Sequence, residues 1–172
     1  VYDEVYLVGH SLGGLVIRRA LADVAQAWNE ERELDKDAPR PRLLDARVRL
    51  FSPASAGFQP KGRLALLKAL GMWSTVDLVL SQSAAYHDLQ PGSQLLESTR
   101  KRTEALVKND KVSFAALRAQ IVWANPEHVV ATERYDSDPV QASANDTTHL
   151  SVCKPHAQYR LPWIFVETGK TS

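Results

Sequence analysis

Ser11 lies in Gly9-His10-Ser11-Leu12-Gly13, a G-x-S-x-G pentapeptide with an apolar run before it and an amphipathic run after it. A serine hydroxyl is a weak nucleophile by itself. Acyl transfer through it needs a base to take the proton, an acid to orient that base, and N–H donors to hold the oxyanion. Five histidines are candidate bases: His10, His87, His128, His149 and His156. Glu127, Asp136 and Asp138 are candidate acids. The backbone N–H of Leu12, the residue after the serine, is a candidate oxyanion donor. The chain has no His-x-x-x-His pair and no cysteine pair, so nothing in it calls for a metal, and no cofactor is expected.

Such a serine must be held up on a sharp strand-to-helix turn. Val5, Tyr6, Leu7 and Val8 read as the strand. Leu12, Leu15, Val16, Ala20, Leu21 and Val24 recur at helical spacing, which predicts a helix over 12–28. Gly9 and Gly13 are expected to be the positions where side chains would clash as the strand packs on the helix. Residues 29–42 are charged and then proline-rich, and read as a surface loop. A second strand is expected at 47–51, stopped by Pro53, and a third at 117–123. Helices are expected at 61–70, ended by Gly71, at 75–85, at 94–108 behind the capping Ser93, and at 161–166. The apolar residues Val76, Leu78, Val79 and Leu80 suit either core or an acyl pocket, core being the better reading. Asn125-Pro126 reads as a turn and 136–146 as a polar loop. Alternating strands and helices argue for an α/β fold with a parallel sheet.

Composition narrows the function classes. With 172 residues, one domain is expected, and 44% hydrophobic residues suffice for a core. A net charge of +1 provides no field to recruit nucleic acid or a membrane surface. The cluster Arg100-Lys101-Arg102 reads as a solvated helix face, and the single Cys153 as a small, half-buried residue. No stretch is apolar enough to span a membrane. No signal peptide is visible, which favours the cytoplasm, although the chain starts at Val1.

The segment from Val5 to Val16 resembles the nucleophile elbow of the α/β-hydrolase superfamily, specifically its lipase-like serine esterases related to the SERAC and PGAP types. His149-Leu150-Ser151-Val152-Cys153-Lys154-Pro155 is similar to their catalytic-histidine segment. Phe51-Ser52-Pro53-Ala54-Ser55-Ala56-Gly57 resembles the strand-end loop after the elbow helix, and Asp88-Leu89-Gln90-Pro91-Gly92-Ser93 their cap-side helix start. The family's chain order is nucleophile, acid, histidine. The resemblance therefore implies Ser11 as nucleophile, His149 as base and the Leu12 N–H as oxyanion donor. His10 is then a pocket residue beside the nucleophile. Glu127 is the best acid, where the family commonly has Asp, with Asp136 and Asp138 as alternatives.

In that family the elbow follows the fifth strand, and a second oxyanion donor comes from a loop after the third. Nothing ahead of residue 5 matches those parts. The expectation is a single truncated domain over 1–172, a C-terminal portion of the α/β-hydrolase fold with its N-terminal strands missing and one sheet edge unpaired. The implied activity is hydrolysis of carboxylic esters, small-molecule or lipid-like, through an acyl-enzyme. An acyltransferase with the same triad, and a non-catalytic interaction module on the same fold, are the alternatives.

Overall fold

The computed structural model describes residues 3–59, 88–109 and 114–171. At its centre is an all-parallel, four-stranded sheet of β1 (Tyr6–His10), β2 (Arg47–Phe51), β3 (Gln120–Asn125) and β4 (Ala142–Asn145), in the order β1-β2-β3-β4. Three α-helices flank it among the described residues: α1 (Leu12–Leu34), α2 (Gln94–Lys108) and α3 (Leu161–Thr168). The class is α/β. Leu7 lies opposite Val48, Leu50 opposite Ile121, and Val122 opposite Ala142.

Successive strand residues face opposite sides of a sheet, and here both sides are apolar. Val48, Leu50, Ile121 and Trp123 pack with Leu21, Ala25 and Trp28 of α1. Phe51, Val122, Ala124 and Ala144 pack on the other side with Val152 and Phe165. This two-sided burial is what parallel sheets require. Buried Arg49 donates to the Phe165 carbonyl (3.2 Å) in the last turn of α3, where a cation suits the helix dipole. Among the described residues, no helix is long and apolar enough to cross a membrane.

Several boundaries differ from expectation for identifiable reasons. The first strand is shifted to Tyr6–His10 and runs into the elbow. Helix α1 continues to Leu34, because Glu30, Glu31, Arg32 and Glu33 are strong helix formers that a solvated end tolerates. The third strand starts at Gln120, and Ala115–Leu117 is a 3-10 turn that buries Leu117. The loop expected at 136–146 contains β4, whose Ala-Ser-Ala-Asn sequence has little strand propensity and is held by pairing with β3. Helix α3 runs two residues past its expected end and stops at Gly169, in the left-handed conformation (φ 73°). The cluster on α2 is not simply solvated. Only Lys101 is exposed, while Arg100 pairs with Glu104 and Glu133 and donates to the Arg134 carbonyl, and Arg102 pairs with Asp23 of α1. The helices expected at 61–70 and 75–85, and His87, lie outside the described residues.

One buried ion pair locks α1 to the loops beyond the sheet. Arg18, 3% exposed, meets Asp138 through both terminal nitrogens (2.6 and 3.2 Å), donates through Nε to the Ser55 hydroxyl (3.0 Å), and lies 4.0 Å from the Tyr135 ring centre. Arg18→Ala strands the Asp138 charge in the interior, which should lower unfolding free energy by about 3–5 kcal/mol. Urea denaturation of the variant beside wild type measures it, and a loss below 1 kcal/mol would contradict the account.

Candidate active site

Strand β1 ends at His10 and α1 begins at Leu12, so Ser11 alone makes the turn. Its backbone sits at φ 53°, ψ −124°, a region costly to a non-glycine residue by about 1–3 kcal/mol. The surroundings enforce it. The Ser11 N–H donates to the Phe51 carbonyl (3.1 Å), and the Ser11 carbonyl accepts from the N–H groups of Ala54 and Gly14 (3.0 Å each). A side chain at Gly9 would come within 2.9 Å of the Gly14 backbone nitrogen, and one at Gly14 within 2.7 Å of Pro53. Gly13 is a correction: a Cβ there meets nothing within 4 Å. The close pair is Gly9 and Gly14, because Gly14 faces the β2 loop while Gly13 faces outward.

The turn from β4 into 148–152 places His149 over the serine. The Val152 and Ser151 N–H groups donate to the Thr148 carbonyl (3.0 Å each), and the Ser151 hydroxyl accepts from the Thr148 N–H (2.8 Å). His149 Nε2 lies 3.0 Å from Ser11 Oγ, and Nδ1 lies 3.1 Å from both carboxylate oxygens of Glu127. A carboxylate only accepts, so Nδ1 carries the proton and Nε2 offers its lone pair to the Ser11 hydroxyl. His149 and Glu127 are 7% and 8% exposed, which keeps water from weakening the contact.

Glu127 projects from the turn after β3, and its Oε1 accepts from the Val129 N–H (2.9 Å). Burial alone would raise its carboxyl pKa. Hydrogen bonds from His149, the Ser52 hydroxyl and the Val129 N–H outweigh burial and hold it below the ordinary glutamate range. Glu127 is thus a carboxylate fixed in its charged form beside the imidazole.

His10 braces the histidine from the other side. Its Nε2–H donates to the His149 carbonyl (2.7 Å), and the two rings lie 4.8 Å apart. Burial is the main cause lowering its pKa, which favours the neutral ring that this bond uses.

The remaining candidates lie elsewhere. His128 and His156 are exposed. Asp138 has its oxygens taken by Arg18 and by the Ala119 and Tyr135 N–H groups (3.0 Å each), and Asp136 is exposed. Neither contacts His149. Ser52 went unrecognised in the sequence. It is fully buried at φ 38°, and its hydroxyl accepts from the Ala124 N–H (3.0 Å) while bonding Glu127. Only its place at a strand end before proline hinted at anything.

The Leu12 N–H belongs to the first residue of α1, where N–H groups have no acceptor within the helix and the dipole favours an anion. A strained serine, a buried histidine and a fixed carboxylate are thereby aligned beside a helix N-terminus. No family model matches the chain, and no curated protein or solved structure matches it significantly.

Proposed function

We propose that this chain is a serine hydrolase of the α/β-hydrolase type that cleaves carboxylic esters, lipid-like ones above all. The observation that carries the reading is the continuous relay from Ser11 through His149 to Glu127 at 3.0 and 3.1 Å, on a turn that is strained at the serine. In this reading His149 Nε2 takes the Ser11 proton as Oγ attacks the ester carbonyl. Glu127 stabilises the imidazolium, and the Leu12 N–H holds the oxyanion. The carbonyl re-forms, the C–O bond to the alcohol breaks, and His149 returns its proton to the departing alkoxide. Water, activated by the same histidine, then releases the acid and restores the serine.

We further read the four strands as part of a larger hydrolase sheet that continues past β1. Support comes from the β1 edge, which has no partner among the described residues and leaves Val8 48% exposed. Beside it an apolar cavity of about 370 Å³ opens between β1 and α3, walled by Val8, Phe51, Trp163 and Val166. An unpaired apolar edge invites association.

A fluorophosphonate probe tests the reading, because it reacts with activated serines. The expected result is labelling confined to the peptide that carries Ser11, and folded protein that takes no label would overturn it. Size-exclusion chromatography of the same sample reads the edge. Association is expected for residues 1–172, and a monodisperse monomer with a cooperative melt would remove the continued sheet.

A further inference from the structure

A second feature starts at the same turn. An apolar groove of about 350 Å³ begins at Leu12 and follows the outer face of α1, walled by Leu15, Val16, Ala20, Leu89 and Leu95. Leu12, Val16 and Ala20 form one stripe at four-residue spacing, and Val16 is 59% exposed. The far end is charged. Arg19 meets Asp23 at 3.0 Å, and Arg102 of α2 pairs with the same carboxylate.

We propose that this groove holds the acyl chain of the substrate, and that the chain is linear and of medium length. The inference rests on the serine-hydrolase reading, and the direction follows from its chemistry. The departing oxygen must lie within reach of His149 Nε2, which returns the proton to it, and the oxyanion must face the Leu12 N–H. The acyl substituent takes the remaining direction, away from the histidine. The groove begins at Leu12, the residue after the nucleophile, and Ser11, His149, His10 and Glu127 do not line it. Its walls are aliphatic along the stripe and suit a hydrocarbon, with Asp88, Arg19 and Asp23 as the charged groups on its lining. From Leu12 to Ala20 the stripe spans about 12 Å at 1.5 Å per residue. The Arg19–Asp23–Arg102 cluster then sets the length limit, since further methylenes would displace water from charged groups.

The experiment compares kcat/KM for the p-nitrophenyl esters of acetate, butyrate, hexanoate, octanoate and palmitate. Wild type should gain about fourfold for each methylene buried, up to the charged end, and lose the gain for palmitate. Ala20→Trp fills the far end of the stripe from an exposed position, its side chain leaning back toward Val16, and should cut the octanoate-to-butyrate ratio by at least about tenfold. Val16→Asp, which places a charge on the wall, should cut the same ratio, so the test does not depend on one variant folding. Ester turnover that depends on Ser11 but is indifferent to chain length, or a ratio unchanged in both variants, overturns the groove assignment and leaves the hydrolase reading standing. Failure of every ester together with failure of fluorophosphonate labelling overturns the hydrolase reading, and the groove assignment falls with it.

Discussion

Ser11→Ala is expected to lower ester turnover by about a million-fold, to what the remaining oxyanion donor and binding groups sustain. The size follows from the relay acting as a unit. Without Oγ, the lone pair on His149 Nε2 has no nucleophile to activate, and Glu127 orients an idle base. Stability should not suffer. The Ser11 hydroxyl bonds only to His149 among the described contacts, and Ala occupies the same backbone at the strain Ser already bears, because the N–H and carbonyl of residue 11 are held by Phe51, Ala54 and Gly14. The check is p-nitrophenyl butyrate turnover in the variant beside wild type, with thermal melts of both. Turnover well above the uncatalysed rate in a folded alanine variant would remove Ser11 from the chemistry.

Glu127→Gln carries the second large effect, a fall in turnover of about ten-thousand-fold with the fold retained. Glutamine keeps the shape but can donate to Nδ1, which favours the tautomer with its proton on Nε2. That tautomer cannot accept from Ser11. The imidazolium formed during attack also loses its counter-charge. The lowered pKa of Glu127 sets the pH behaviour. Its carboxylate stays ionised to below the ordinary glutamate range, so protonation of Glu127 should not limit kcat/KM at or above that range.

The same shift links to stability. A carboxyl whose pKa is depressed in the folded state stabilises the protein above the ordinary glutamate pKa. That contribution is lost as pH falls through the lower, folded value. Asp138→Asn is the contrasting variant: it should weaken the fold through Arg18 and leave turnover per folded molecule close to wild type. A catalytically dead Asp138→Asn with an active Glu127→Gln would reassign the acid.

The local parts of this protein were legible in its sequence, because local chemistry dictates them. The apolar run Val48, Leu50 and Phe51 marked β2, and Ser93 before an amphipathic run marked α2 at Gln94–Lys108. The pentapeptide around Ser11 required a turn there, and the structure places one at that residue. Tertiary contacts decided the rest. Strand β4 exists because β3 offers its edge to a segment, Ala142–Asn145, with no strand signal of its own. Glu127, Asp136 and Asp138 were comparable as residue types. They are separated by partners more than a hundred residues away in one case, since Arg18 takes Asp138, and by a ring 22 residues on in another, since His149 meets Glu127. Ser52 and Gly14 owe their roles to one packed corner, where the end of β2 passes beneath the elbow. Hydrophobic period and turn chemistry act over a few residues, and so a sequence displays them directly. A buried charge is assigned by whichever opposite charge the completed sheet brings within about 3 Å, where the low dielectric makes pairing decisive. Only the assembled fold specifies that distance.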